Sequence, residues 1–122
     1  MKFLLVDDDE YLRDMYTVKF TEHGHEVDVA DSGVSALAKI RQNRDYDVIL
    51  LDMIMPGMSG VELISAIKDE FPDLKAKCIV LSNQGQTEDI KEAKAVGAIG
   101  YIIKAESVPS EVLKKVEALT KK

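Results

Sequence analysis

The sequence predicts an α/β domain in which a parallel five-stranded sheet is doubly wound, (βα) repeated five times, with helices on both faces in a three-layer sandwich. Two observations predict it. Apolar runs of strand length recur along the chain, and the stretches between them carry apolar residues at helical spacing. A third observation sets the scale: 122 residues, 46% hydrophobic and 31% charged, supply one ordinary core and not two, so residues 1–122 are expected to form one domain.

The elements follow in order. Phe3 to Val6 is a continuous apolar run, as a strand covered on both faces of a parallel sheet should be. Leu12, Met15, Tyr16 and Phe20 then recur at helical spacing, and Gly24 follows as a helix stop. Glu26 to Ala30 alternates polar with apolar, the pattern of a strand with one face less protected, which places it at an edge. Leu37 and Ile40 mark the second helix. Val48 to Leu51 reads as a covered strand, and Ser59 stands three residues before Glu62 as a capping box opening the helix that carries Leu63, Ile64 and Ile67. Ile79 to Leu81 and Ile99 to Ile103 also read as covered strands. They are separated by a helix with Ile90, Ala93 and Val96, which Gly97 ends. Pro109 opens the last helix, whose stripe is Val112, Leu113, Val116 and Leu119. Right-handed crossovers put these helices on both faces, and the common order for five such strands is 2-1-3-4-5, which leaves the second strand at an edge.

Composition narrows the function classes. A formal net charge of −6 argues against direct nucleic-acid binding, which needs a basic face. The single Cys78 lies in an apolar run, cannot form an internal disulfide, and points to a reducing compartment. Only Lys2 precedes the short run from Phe3, so neither a signal peptide nor a membrane span is expected, and the location is expected to be cytoplasmic. His23 and His25 flank Gly24 in a loop opposite the strand ends that matter and read as surface residues. Met53, Met55 and Met58 read as core filling rather than a soft-metal site.

The residues at the carboxyl ends of the strands carry the chemistry. Asp7, Asp8 and Asp9 follow the first strand, Asp52 the third, Ser82 the fourth and Lys104 the fifth. In an open α/β sheet these positions share one rim, where ligands bind. Adjacent strands lie about 4.8 Å apart, so the first and third bring Asp7 and Asp8 close to Asp52, and like charges that close call for a cation. Hard oxygen ligands in a partly open site suit Mg²⁺. Lys104 starts two strands from Asp52, about 10 Å away, and its long stem can cover much of that gap. A carboxylate, a metal seat, an ammonium and a hydroxyl are the equipment for stabilising a phosphoryl group on an oxygen nucleophile. Taken singly, Asp7 to Glu10 would read as acids at a helix N-terminus, Lys104 as a solvated charge and Ser82 as a cap. Their joint placement on one rim is what favours chemistry.

The stretches Leu4-Leu5-Val6-Asp7-Asp8-Asp9, Ile49 through Gly60, Ile79-Val80-Leu81-Ser82 and Gly100-Tyr101-Ile102-Ile103-Lys104, in this order and spacing, resemble the receiver domains of two-component response regulators. The resemblance covers essentially the whole chain. It implies a flavodoxin-like fold and a switch in which Asp52 accepts a phosphoryl group from a phosphohistidine of a sensor histidine kinase or phosphotransfer protein. By the same resemblance Mg²⁺ is held by Asp8 directly, Asp7 through water, Asp52 and the backbone carbonyl of Ile54. Ser82 matches the hydroxyl that moves to the phosphoryl oxygen, Lys104 the ammonium that pairs with it, and Tyr101 the aromatic that follows the movement. A change of the face built from the fourth helix, fifth strand and fifth helix would then reach a downstream protein target. A monomer or a phosphorylation-dependent dimer fits the family, as either a stand-alone regulator or a receiver cut from a larger protein.

Three positions depart from the family pattern. Ala105 stands where a cis proline is usual, so the Lys104–Ala105 peptide is expected to be trans. Asn83, followed by Gln84, stands where a small residue is common, and Ile54 presents an apolar side chain beside the acceptor, which together predict slow loss of phosphate. Other functions fit less well. A haloacid-dehalogenase-type phosphatase needs an acid where Ile54 stands. A flavin carrier needs a phosphate loop where three aspartates stand. A receiver-like binding module that is never phosphorylated would have no use for the intact acidic pair, Asp52, Ser82 and Lys104.

Overall fold

The computed structural model describes residues 1–83 and 85–121. Five strands, β1 (Lys2–Val6), β2 (Glu26–Ala30), β3 (Val48–Leu51), β4 (Lys77–Ser82) and β5 (Gly100–Ile103), form one parallel sheet in the order β2-β1-β3-β4-β5. Helices α1 (Glu10–Glu22), α2 (Gly33–Gln42), α3 (Gly60–Glu70), α4 (Thr87–Ala95) and α5 (Pro109–Thr120) connect and follow the strands, with a single 3-10 turn at Lys104–Glu106. The doubly wound order expected from the alternation is the order found.

Two apolar layers flank the sheet because each covered strand sends alternate side chains to opposite faces. Leu4, Val6, Ile49, Leu51, Cys78 and Val80 point toward α2 and α3, where Ile40, Leu63, Ile64 and Ile67 meet them. Phe3, Leu5, Val48, Leu50, Ile79 and Leu81 point toward α1 and α5, against Tyr16, Phe20, Val112 and Val116. Helix ends are set by the predicted residues: Ser59 and Glu62 form the capping box, Pro109 begins α5, and Gly24 and Gly97 take positive φ values of 86° and 117° after α1 and α4. Met53 and Met55 are buried in the first layer, while half-buried Met58 lies against Gly33 at the start of α2.

Four expectations need correction. The run from Ile99 is not a covered strand: β5 is the second edge, begins at Gly100 and alternates in burial, with Ile99 itself exposed. The expected order already put the fifth strand at the other edge, but apolar content does not reveal how far its two faces are covered. Leu119, expected in the buried stripe of α5, is partly exposed at 38% and lies over Gly100 at this edge. The alternation of β2 is also imperfect: Val29 faces solvent, and half-buried Asp28 accepts a hydrogen bond from the Tyr46 hydroxyl at 2.6 Å. Finally, His25 is no surface residue. Its Nδ1 lies 2.8 Å from the N-terminal ammonium, its Nε2 lies 3.2 Å from Glu117 on α5, and its ring packs edge-on against Phe3. His23 is exposed, as expected.

Candidate functional site

The parallel ladder places the functional side chains. Val6 pairs with Leu51, so Asp7 and Asp52 leave neighbouring strands side by side, and the Asp52 amide continues the ladder to the Val6 carbonyl at 3.0 Å. Gly60 opens α3 directly beneath: a side chain there would strike the Asp52 carbonyl, and the Gly60 amide donates to the Met53 carbonyl at 2.8 Å. The turn after Asp52 is thereby held close. The Ile54 amide donates to Asp52 Oδ1 at 3.3 Å, which keeps the Ile54 backbone beside the carboxylate while its side chain faces solvent at 56% exposure.

One carboxylate oxygen from each of Asp7, Asp8 and Asp52 lies within 4.8 Å of the other two. Their environments differ. Asp7 is buried, Asp52 is partly exposed, and Asp8 is exposed and makes no hydrogen bond or ion pair with another described residue. Asp9 stands apart from the cluster and caps α1 by accepting from the Leu12 amide. An all-oxygen set of this kind, with one member free, fits a hard divalent cation.

Lys104 closes the site from the far side of the sheet. Its ammonium donates to Asp7 Oδ2 at 2.6 Å and to Asp52 Oδ2 at 3.1 Å, with only 6% of the side chain exposed. Burial alone would pull its pKa down, but the hydrogen bond to Asp7 and the charge of Asp52 hold it above its ordinary value. The peptide after Lys104 is trans, as no cis bond occurs among the described residues, and the chain turns there into the 3-10 segment.

Ser82 is the last residue of β4 rather than the first beyond it, and it is buried. Its side chain shares a hydrogen bond with Tyr101, the half-buried aromatic of β5. Burial raises the Tyr101 pKa, the Ser82 hydrogen bond pulls it partly back, and Asp89 and Asp52 add to the rise. Asn83 is exposed beside Ser82, and Gln84 lies outside the described residues.

One residue of the site escapes the strand-end argument. Arg13, on α1, donates from Nη1 to the Asp7 carbonyl at 2.7 Å. The sequence signal was its place four residues after the helix-capping Asp9, one helical turn into α1.

The profile of the response regulator receiver domain matches residues 3–117. The chain belongs to this family. It is 38% identical over 107 residues to the chemotaxis protein CheY of Halobacterium salinarum, covering 88% of this chain and 87% of that protein. Among solved structures, the chemotaxis protein CheY4 of Vibrio cholerae superposes with a TM-score of 0.89 at 33% identity, over 97% of both chains. CheY in the CheX–CheY–BeF₃–Mg²⁺ complex from Borrelia burgdorferi gives 0.90 at 28% identity, over 100% of this chain and 90% of that one. Receiver domains are the phosphorylation-dependent switches of two-component systems, signalling modules rather than classical enzymes. They bind Mg²⁺ at an acidic site and interact with histidine kinases or phosphotransfer proteins and with downstream targets. No helix among the described residues is long and apolar enough to cross a membrane.

Proposed function

We propose that this receiver domain, spanning residues 1–122, takes a phosphoryl group onto Asp52 from a phosphohistidine. The observation that carries the reading is the convergence of Asp7, Asp8 and Asp52 on one rim with the Lys104 ammonium between two of them. A carboxylate oxygen of Asp52 attacks phosphorus, the P–N bond to the donor imidazole breaks, and the ring nitrogen keeps the electron pair. The product is an acyl phosphate. Asp8, Asp52 and the Ile54 carbonyl, assisted by Asp7, would hold Mg²⁺, which would supply positive charge against the phosphoryl oxygens.

The chain's own residues do the rest. Phosphorylation adds about −1.5 to −2 charge at Asp52, and that charge attracts the Lys104 ammonium and the Ser82 hydroxyl. Ser82 then exchanges its hydrogen bond with Tyr101 for one with the phosphoryl oxygen. Tyr101, released, moves into the space that Ser82 leaves, and the face formed by α4, β5 and α5 changes for a downstream partner. The free buried Cys78 supports a reducing, cytoplasmic setting.

Loss of phosphate, which the domain itself assists, is slow. Ile54 offers no polar group to orient attacking water, and Asn83 stands exposed beside the path. Incubation with acetyl phosphate and Mg²⁺ followed by intact mass measurement tests the reading. The wild type is expected to gain one phosphoryl group and hold it for minutes, and Asp52→Asn to gain none. Labelling of Asp52→Asn to the wild-type level would remove the assignment, and a lifetime of only seconds would remove the account of Ile54 and Asn83.

A further inference from the structure

Asp7 has every polar atom engaged. Its amide donates to the Ala30 carbonyl at 3.1 Å, Oδ1 accepts from the Asp9 amide at 2.9 Å, and Oδ2 accepts from Lys104 at 2.6 Å. Its carbonyl accepts from Arg13 Nη1 at 2.7 Å. The first bond is sheet ladder and the second is the local turn. The bond from Arg13 reaches back from within α1, across the loop that carries Asp8.

The loop is tied at both ends. Asp9 is fixed as the N-cap, accepting the Leu12 amide on its side chain and the Arg13 amide on its carbonyl at 3.0 Å. Asp8 stands between Asp7 and Asp9, and its exposed carboxylate makes no bond of its own to another described residue. Its direction toward Asp7 and Asp52 is therefore set by how firmly the backbone on either side is pinned. On the Asp7 side the ladder holds the amide and the Asp9 amide and Lys104 hold the carboxylate, while the carbonyl, part of the peptide that leads into Asp8, is held by a charge-assisted hydrogen bond from half-buried Arg13.

We infer that Arg13 is a positioning residue for the divalent cation: by clamping the Asp7 carbonyl it fixes the loop that presents Asp7 and Asp8. The inference rests on the metal reading given under Proposed function. It also has an opponent of opposite sign. As a bare positive charge near a cation site, Arg13 would weaken metal binding, and its removal would tighten it. As a clamp it orients the ligands, and residues that hold metal ligands in place typically contribute about 10–100-fold to affinity. The bonded atom is a carbonyl, so the clamp leaves the carboxylate charges available.

Mg²⁺ titration by calorimetry on the wild type, Arg13→Met and Arg13→Lys decides between them. Arg13→Met keeps an apolar stem and loses the donor, and its Mg²⁺ affinity is expected to fall about 10–100-fold, with Arg13→Lys recovering part of the loss. Unchanged or tighter binding by Arg13→Met overturns the inference, and so does an equal loss in both variants, since lysine retains a donor for the single carbonyl. Should Arg13→Met fail to fold by circular dichroism, Arg13→Leu, which also lacks a donor, carries the same expectation. A wild type that binds no Mg²⁺ defeats the metal reading and this inference together. A wild type that binds it, beside an Arg13→Met protein that binds it equally, defeats the inference alone.

Discussion

Replacing Lys104 with methionine tests the electrostatics of the rim most directly, because methionine keeps an apolar stem and removes only the ammonium. Lys104 is the counter-charge of Asp7 and Asp52, whose side chains are 3% and 13% exposed. One carboxylate oxygen of each lies within 4.8 Å of the other. At an effective dielectric of about 20, two unit charges at that separation repel by about 3.5 kcal/mol, against about 1 kcal/mol in bulk water. Asp52 is partly solvated, so the metal-free variant is expected to lose about 2–3 kcal/mol, somewhat less than the ~3–5 kcal/mol typical of breaking a fully buried pair. Urea unfolding in EDTA measures this loss. Because the ammonium and Mg²⁺ compete for the same oxygens, Lys104→Met should also bind Mg²⁺ at least about tenfold more tightly, a difference of about 1.4 kcal/mol. Saturating Mg²⁺ should then close about half of the stability gap or more. A variant as stable as the wild type in EDTA, with unchanged Mg²⁺ affinity, would refute the counter-ion role.

Two further substitutions probe the switch and the core. In the proposed switch Ser82 gives up its hydrogen bond with Tyr101, so Tyr101→Phe, by removing a bond of net worth about 0.5–1.5 kcal/mol, should tighten beryllofluoride binding about 2–10-fold. Calorimetry showing the same affinity in both proteins would mean that the Ser82–Tyr101 bond does not oppose the switch. Burial pushes the Cys78 thiol up from 9.0 to about 11, with Lys68 pulling weakly the other way. The folded thiol thus keeps its proton to higher pH than the unfolded one, so its contribution is complete below pH 9 and is lost as pH rises to about 11. Against Cys78→Ala, which lacks this step, wild-type stability should fall more steeply across that window. Parallel curves would show that burial does not hold the proton.

The strand-end residues were legible because a parallel sheet aligns all carboxyl ends on one rim, and Asp7, Asp52, Ser82 and Lys104 each follow or end an apolar run. The closeness of Lys104 was not. Counting strand spacings puts its backbone about 10 Å from Asp52, whereas the length and direction of a buried stem decide where the ammonium stops. β5 was misjudged for a related reason: its apolar residues are needed on one face for the core and on the other for an edge that only α4 and α5 flank. His25 shows the limit of arguing from a turn. A Gly-flanked loop reads as surface, yet Phe3, the N-terminus and Glu117 converge on its ring from 22 or more residues away.

Arg13 and Lys104 explain together why one buried carboxylate can serve two opposite needs. Without metal, three acids on adjacent strand ends repel, and Lys104 relieves that by binding the carboxylate oxygens of Asp7 and Asp52 themselves. The same contact must be given up when another cation takes those oxygens, so it cannot also be what keeps the loop in place. Arg13 is attached to the Asp7 carbonyl, which carries no formal charge and is not among the clustered oxygens. Its bond can therefore persist whichever cation faces the carboxylates. On the proposed reading one cation is exchanged and the other stays, and the sign of the change in Mg²⁺ affinity, up for Lys104→Met and down for Arg13→Met, separates an exchanged charge from a fixed clamp.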